Sequence, residues 1–125
     1  QNALTVAEAQ LTDVGRQICV KAYIVGTAYK SLNNILLWPP FTSSTSILLS
    51  DTPIVTDSQT DETIDKNSFL LVCLTDRASI RKKLNLKDNP ELWNHQVYII
   101  GTRDYYMNVL GLKKVMEYEI VKAKE

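Results

Sequence analysis

Net charge is the first thing this chain lacks. Fourteen basic residues balance fourteen acidic ones, so the molecule exerts no long-range pull on a polyanion, which argues against a dedicated nucleic-acid binder. Cysteine is scarce as well. Cys19 and Cys73 are too few for a disulfide framework. Both lie in strand-like apolar runs and read as small core residues, with a disulfide between them the less favoured alternative. His95 is the one histidine; no Cys or His stands near it in sequence, so neither metal binding nor acid–base work is expected of it. No apolar run approaches the roughly 18 residues of a membrane helix. The patterns G-x-S-x-G, H-E-x-x-H, Walker loop and C-x-x-C are all missing. No catalytic residue, metal ligand or cofactor is therefore assigned, and the chain reads as a non-enzyme. Its first residue is Gln1 and not Met, which reads as a trimmed chain from which a targeting segment has been removed.

What is present belongs to an ordinary globular protein. With 125 residues, 45% hydrophobic and 22% charged, one domain spanning residues 1–125 is expected, able to bury roughly two thirds of its unfolded surface. Near the start, Thr5 and Glu8 have the spacing of a capping box, and Val6, Ala9 and Leu11 supply an apolar face. A helix from about Val6 to Val14 follows, stopped by Gly15. "QICVKAYIVGTAYK" then alternates, with Ile18, Val20, Ala22 and Ile24 on one side, as a half-buried strand does. "TSILLSDTP" and "NSFLLVCLT" give a second and a third strand. Ser79 caps a helix that carries Ile80 and Leu84, and Asn89-Pro90 opens a further helical turn. "HQVYIIGTRDYY" makes a fourth strand and "KKVMEYEIVKA" a fifth. In the fifth, Glu117 and Glu119 face solvent, so Met116, Tyr118 and Ile120 are expected to face inward.

Five strands with a helix between the third and fourth is the order of the OB-fold, a small Greek-key barrel. The fold class predicted is thus all-β: a five-stranded OB-fold-like barrel with an N-terminal helix and a second helix between strands three and four. "KAYIVGT" and "QVYIIGT" place Gly26 and Gly101 inside the first and fourth strands. A barrel this small curls strongly, and glycines and bulges bend strands through its corners. Gly26 and Gly101, with Gly111 before the last strand, are assigned structural roles.

The segments "VKAYIVGT", "PFTSSTSILLSDTP", "SIRKKLNLKDNPELWNHQVYIIGT" and "GLKKVMEYEI" together resemble the secreted OB-like domains of unknown function found in Bacteroidetes. The resemblance runs from about Leu4 to Val121, and "LNLKDNP" and "GLKKV" are its more specific parts. It implies an exported or lipid-anchored protein, hence an extracytoplasmic place; in the lipid-anchored case the anchor lies upstream of this segment. It brings no catalytic residues with it. "DYYMNVLGLKKV" departs from the family, whose turn before Gly-Leu-Lys is shorter and contains Pro, and Lys114 replaces the usual Asn.

Two loops carry the aromatic residues a ligand would need. "TAYKSLNNILLWPPFTSSTS", between the first and second strands, holds Tyr29, Trp38 and Phe41. The loop between the fourth and fifth holds Arg103, Tyr105 and Tyr106. In OB-folds these two loops flank the ligand face, and aromatic rings beside cations suit stacking on bases or sugars. The first expectation for the long loop is that it folds back and buries its apolar groups as a satellite cluster. A protein contact, and a glycan or nucleotide ligand, are the alternatives. "DTPIVTDSQTDETIDKNS" is acidic at Asp57, Asp61, Glu62 and Asp65, but its spacing fits no EF-hand, and it reads as a solvated loop. The Lys and Arg residues of "RKKLNLK" read as wet surface. The function expected is a non-catalytic, extracytoplasmic binding or accessory module for a protein or carbohydrate partner. A single-stranded nucleic-acid-binding domain is the second reading, and the neutral charge counts against it.

Overall fold

The computed structural model describes residues 2–55 and 64–122. Asp57, Asp61 and Glu62 of the acidic segment lie outside them. The first helix, α1 (Val6–Ala9), is a single turn and not the nine residues predicted. Its capping box is present, with Thr5 Oγ1 accepting from the Glu8 N–H and Glu8 Oε1 accepting from the Thr5 N–H. The turn is further anchored by Asp51, whose two carboxylate oxygens accept from the N–H groups of Val6 at 2.7 Å and Ala7 at 3.1 Å. Beyond it, Leu11 and Val14 are exposed. With no surface to cover, their apolar spacing does not sustain a helix. Removing an anionic cap normally weakens stability by about 1 kcal/mol. Asp51→Ala is expected to lower the unfolding free energy by about that amount in urea titration, and Asp51→Asn by about half of it.

Six strands form one mixed sheet: β1 (Gln17–Tyr29), β2 (Ser31–Leu36), β3 (Ser46–Ser50), β4 (Leu70–Cys73), β5 (Gln96–Tyr106) and β6 (Val109–Ile120). Pairing runs β2-β1-β3-β4-β6-β5, and β5 pairs again with β1. Five strands therefore close a ring in the order β1-β3-β4-β6-β5, with β2 attached outside it. Every pairing is antiparallel except that of β4 with β6, which is parallel and brief. Helix α2 (Ala78–Leu84) lies between β4 and β5 in sequence. Arg77, and not Ser79, occupies its N-cap, and no side chain caps it. At its other end Asn89 donates to the carbonyls of Lys82 and Asn85, satisfying orphan acceptors of the last turn.

The ring has an apolar interior and a second apolar layer on its outside. Ile18, Val20, Ala22 and Ile24 of β1, Ile47 and Leu49 of β3, Val72 of β4, Val97 and Ile99 of β5 and Leu112 of β6 meet in the interior, with Ile80 and Leu84 of α2. Strand alternation sends Val25, Leu48 and Leu71 to the other face, where Phe69, Leu37 and Ala28 join them. The segment expected as a loop supplies the cover for this layer. Lys30, at φ 66°, makes a tight turn, and β2 doubles back along β1 with Ala28 opposite Ile35 and Thr27 opposite Leu36. Leu32, Ile35 and Trp38 then lie over the outer layer, as do Tyr106, Met107 and Val109 from the β5–β6 hairpin. "SLNNIL" lacks the strict alternation of a strand, which is why β2 escapes a reading by period.

Gly26 and Gly101 sit where the ladders slip. The β1–β3 register shifts between Ile24 and Gly26, and the β5–β6 register between Ile100 and Thr102. Opposite the second slip, Lys114 takes a left-handed φ of 53°. That bulge resets the alternation of β6: Val115 is buried in the interior and Met116 is 38% exposed. The expectation that Met116 faces inward is thus corrected, while Tyr118 and Ile120 do pack against the core. Gly111 lies so close to the Leu71 carbonyl that a Cβ would collide with it. No helix among the described residues is long and apolar enough to cross a membrane.

Candidate functional site

The six aromatic and cationic side chains singled out in the two loops do not share one environment. Tyr29 (59% exposed) and Tyr105 (61%) stand in solvent, each at a hairpin end. Trp38 and Tyr106 are half-buried on the outer apolar layer. The Tyr106 hydroxyl reaches the Thr45 carbonyl at 3.5 Å; burial, and after it the neighbouring Cys73, raises its phenol above the ordinary value. Phe41 is buried, its ring tilted against Trp93 at a centroid distance of 6.5 Å. Trp93 in turn donates to the Val25 carbonyl at 3.1 Å.

Arg103 is only 2% exposed. Its guanidinium donates to the carbonyls of Leu110 at 3.1 Å, Gly111 at 3.2 Å and Thr12 at 3.4 Å. Burial lowers its pKa. A cation so enclosed ties the β5–β6 hairpin to the segment after α1, with Nε and Nη1 both donating to backbone. Phe41 thus presents almost no surface to a ligand, and Arg103 only an edge to a small hollow of about 250 Å³ lined also by Leu32, Phe69 and Val109.

The outer apolar layer covers β3 and β4. Leu48 and Leu71, which point outward from those strands, are fully enclosed beneath β2 and the β5–β6 hairpin. A ligand cannot reach Leu48 without displacing the chain itself.

The two larger concavities lie over β1, β5 and β6. The three strands are in register there: Lys21, Tyr98 and Glu119 form one row, and Cys19, Ile100 and Glu117 the next. Side chains of both rows line a groove of about 600 Å³, walled by Arg77 and Ser79 at the start of α2 and by Met116 and Tyr118. Lys21 Nζ lies 5.2 Å from the Tyr98 ring centroid, and Glu119 is the cross-strand neighbour of Tyr98 on β6. A second concavity, of about 590 Å³, adjoins the row of Tyr23 and Gln96 and is edged by Lys21, His95 and Lys122. Chemically the first groove offers a half-exposed aromatic ring, apolar area from Ile100 and Met116, and exposed carboxylate acceptors. Cys19 and Cys73 are free and buried, and burial raises the Cys19 thiol further from ionisation.

Sequence reasoning found Glu117 and Glu119 as a solvent-facing pair but not the groove around them. The signal was there in "QVYIIG": the outward positions of a strand expected to be half polar are Tyr98 and Ile100. No curated protein and no solved structure matches this chain. A family model matches residues 4–121, nearly its whole length, and the chain accordingly belongs to the family described as a domain of unknown function, DUF6359.

Proposed function

We propose that this domain is a non-catalytic, extracytoplasmic binding module, built as an OB-fold-like barrel, that holds a protein or carbohydrate ligand in the groove over β5 and β6. The groove itself is the observation that carries the reading. It sets the half-exposed Tyr98 ring among apolar side chains and beside the exposed Glu117 and Glu119. Ligand sites take this form, with mostly apolar walls and a few polar groups that fix orientation. Closed pairing of β1, β3, β4, β6 and β5, with α2 inserted between β4 and β5 in sequence, supports the OB-like description. The resemblance of "LNLKDNP" and "GLKKV" to exported domains supports the location. The groove's thiol is buried and kept protonated, so the groove offers acceptors and contact area and not an activated nucleophile.

The nucleic-acid reading is the weaker one. OB-folds present oligonucleotides to the face of their second and third strands, which correspond to β3 and β4, and that face is covered by β2. Overall charge is zero. The test is a screen of the purified domain against a glycan array, immobilised envelope proteins and single-stranded DNA, repeated with Tyr98→Ala. A saccharide or protein ligand that loses at least tenfold in affinity with Tyr98→Ala is the expected result. A ligand indifferent to Tyr98 but lost with Tyr29→Ala and Tyr105→Ala would move the site to the hairpin ends. Tight binding to DNA alone would overturn the reading.

A further inference from the structure

Strand β6 leaves part of one edge open. It pairs with β5 along nearly its whole length, but with β4 in a single register, Val72 opposite Leu112. Just past that point the chain closes the edge with side chains. The Asp76 carboxylate accepts from the Lys114 N–H at 2.9 Å, and the Arg77 guanidinium donates to the Met116 carbonyl at 3.3 Å. Farther along, the Val121 N–H donates to the Gln96 carbonyl at 2.9 Å. In an antiparallel ladder the direction of the backbone groups alternates. Glu117 and Glu119 therefore aim theirs at β5, while Tyr118 and Ile120 aim theirs outward. Among the described residues, no backbone or side-chain group meets those of Tyr118 and Ile120. An open row of N–H and C=O groups is a template for an added strand.

Side chains along the edge specify what that strand must be. Glu117 and Glu119 are exposed on the outer face and make no ion pair among the described residues. Tyr118 and Ile120, on the other face, are half-buried against the core. A second copy of the chain pairing edge to edge would bring two pairs of carboxylates together across the two-fold axis, which like-charge repulsion disfavours.

The geometry points to an extended peptide in which basic and apolar residues alternate, adding to β6 as a strand beside Tyr118 and Ile120. Its cations lie opposite Glu117 and Glu119, and its apolar side chains lie beside Tyr118 and Ile120, between β6 and the start of α2. This assignment rests on the groove being the binding surface and names the ligand it takes.

Fluorescence anisotropy with labelled Lys-Val-Lys-Val-Lys-Val-Lys tests it, beside the same peptide N-methylated along one hydrogen-bonding edge. The unmodified peptide is expected to bind, N-methylation to weaken it more than tenfold, and the Glu117→Gln, Glu119→Gln double variant to weaken it roughly three- to tenfold. The amide resonances of Tyr118 and Ile120 should shift most on binding. Equal binding of the two peptides would mean charge attraction without strand addition, and indifference to the double variant would mean that the cations do not lie opposite Glu117 and Glu119; either result would overturn the proposal. Failure of the peptide while a saccharide binds in a Tyr98-dependent way would overturn strand addition and leave the groove standing. Failure of every ligand would overturn both.

Discussion

Arg103→Met is expected to destabilise the domain by about 3 kcal/mol, a large fraction of the roughly 5–15 kcal/mol that holds a domain together. Methionine keeps the length of the stem and fills most of the same space, so the loss isolates the guanidinium. Three carbonyls, those of Thr12, Leu110 and Gly111, lose their side-chain donor at once. The side chain itself is 2% exposed, and the bond to Gly111 is buried while the other two are part-buried. Buried acceptors left unpaired cost about 1–3 kcal/mol each when they cannot relax, and partial relaxation of the hairpin keeps the total near the lower end. Arg103→Lys retains the charge but cannot span three acceptors with one ammonium, and should lose about 2 kcal/mol. Urea unfolding followed by Trp fluorescence reads both. Tyr105→Ala, at the exposed neighbour two positions on, should stay within about 0.5 kcal/mol. If Arg103→Met unfolds at the wild-type midpoint with an unchanged slope, the guanidinium is not the tie between the hairpin and the segment after α1.

Arg103 also shows where sequence reasoning reaches its limit. An Arg two residues from a pair of tyrosines has the composition of a stacking platform, and nothing local says that its acceptors will come from Thr12, ninety-one residues away. Strands were legible because period two survives in β1, β5 and the second half of β6. The ring order was inferred from the place of one helix among five strands. β2 was not legible: Asn33 and Asn34 interrupt its period, and it exists because Leu32 and Ile35 have an apolar layer to cover. That layer depends on which face of β3 and β4 is outward, a property of the closed ring and not of any segment. Met116 was misplaced for a related reason. The reset at Lys114 is a backbone bulge, and a lysine at positive φ leaves no mark in a hydrophobic pattern. Even the groove follows from cross-strand register, since Lys21, Tyr98 and Glu119 are neighbours only once β1, β5 and β6 are aligned.

Gly26→Ala should cost about 2–4 kcal/mol for the addition of one methyl group. The position has an ordinary φ, so the penalty is one of space. A Cβ there would run into the Leu36 carbonyl and come within 2.8 Å of Leu37 Cδ2. The side chain of Leu37 can rotate away; the backbone of Leu36 cannot, because it is held in register with Thr27. Overpacking of this kind typically costs 1–3 kcal/mol where neighbours yield, and a fixed backbone raises the figure. Gly15→Ala supplies the opposite case. Gly15 has φ of 90°, but a methyl group there would point into open space, with nothing within 4 Å, so only the dihedral resists, at about 1 kcal/mol. The two variants separate in kind as well as in size. Alanine at position 26 must push β2 away from β1, uncovering Val25, Leu48 and Leu71, so it should bind a hydrophobic dye and be cut by protease between residues 30 and 40. Alanine at position 15 should do neither. A Gly26→Ala protein with wild-type stability and no new protease site would mean that β2 is not clamped against β1, and the covered face of β3 and β4 would again be open to a ligand.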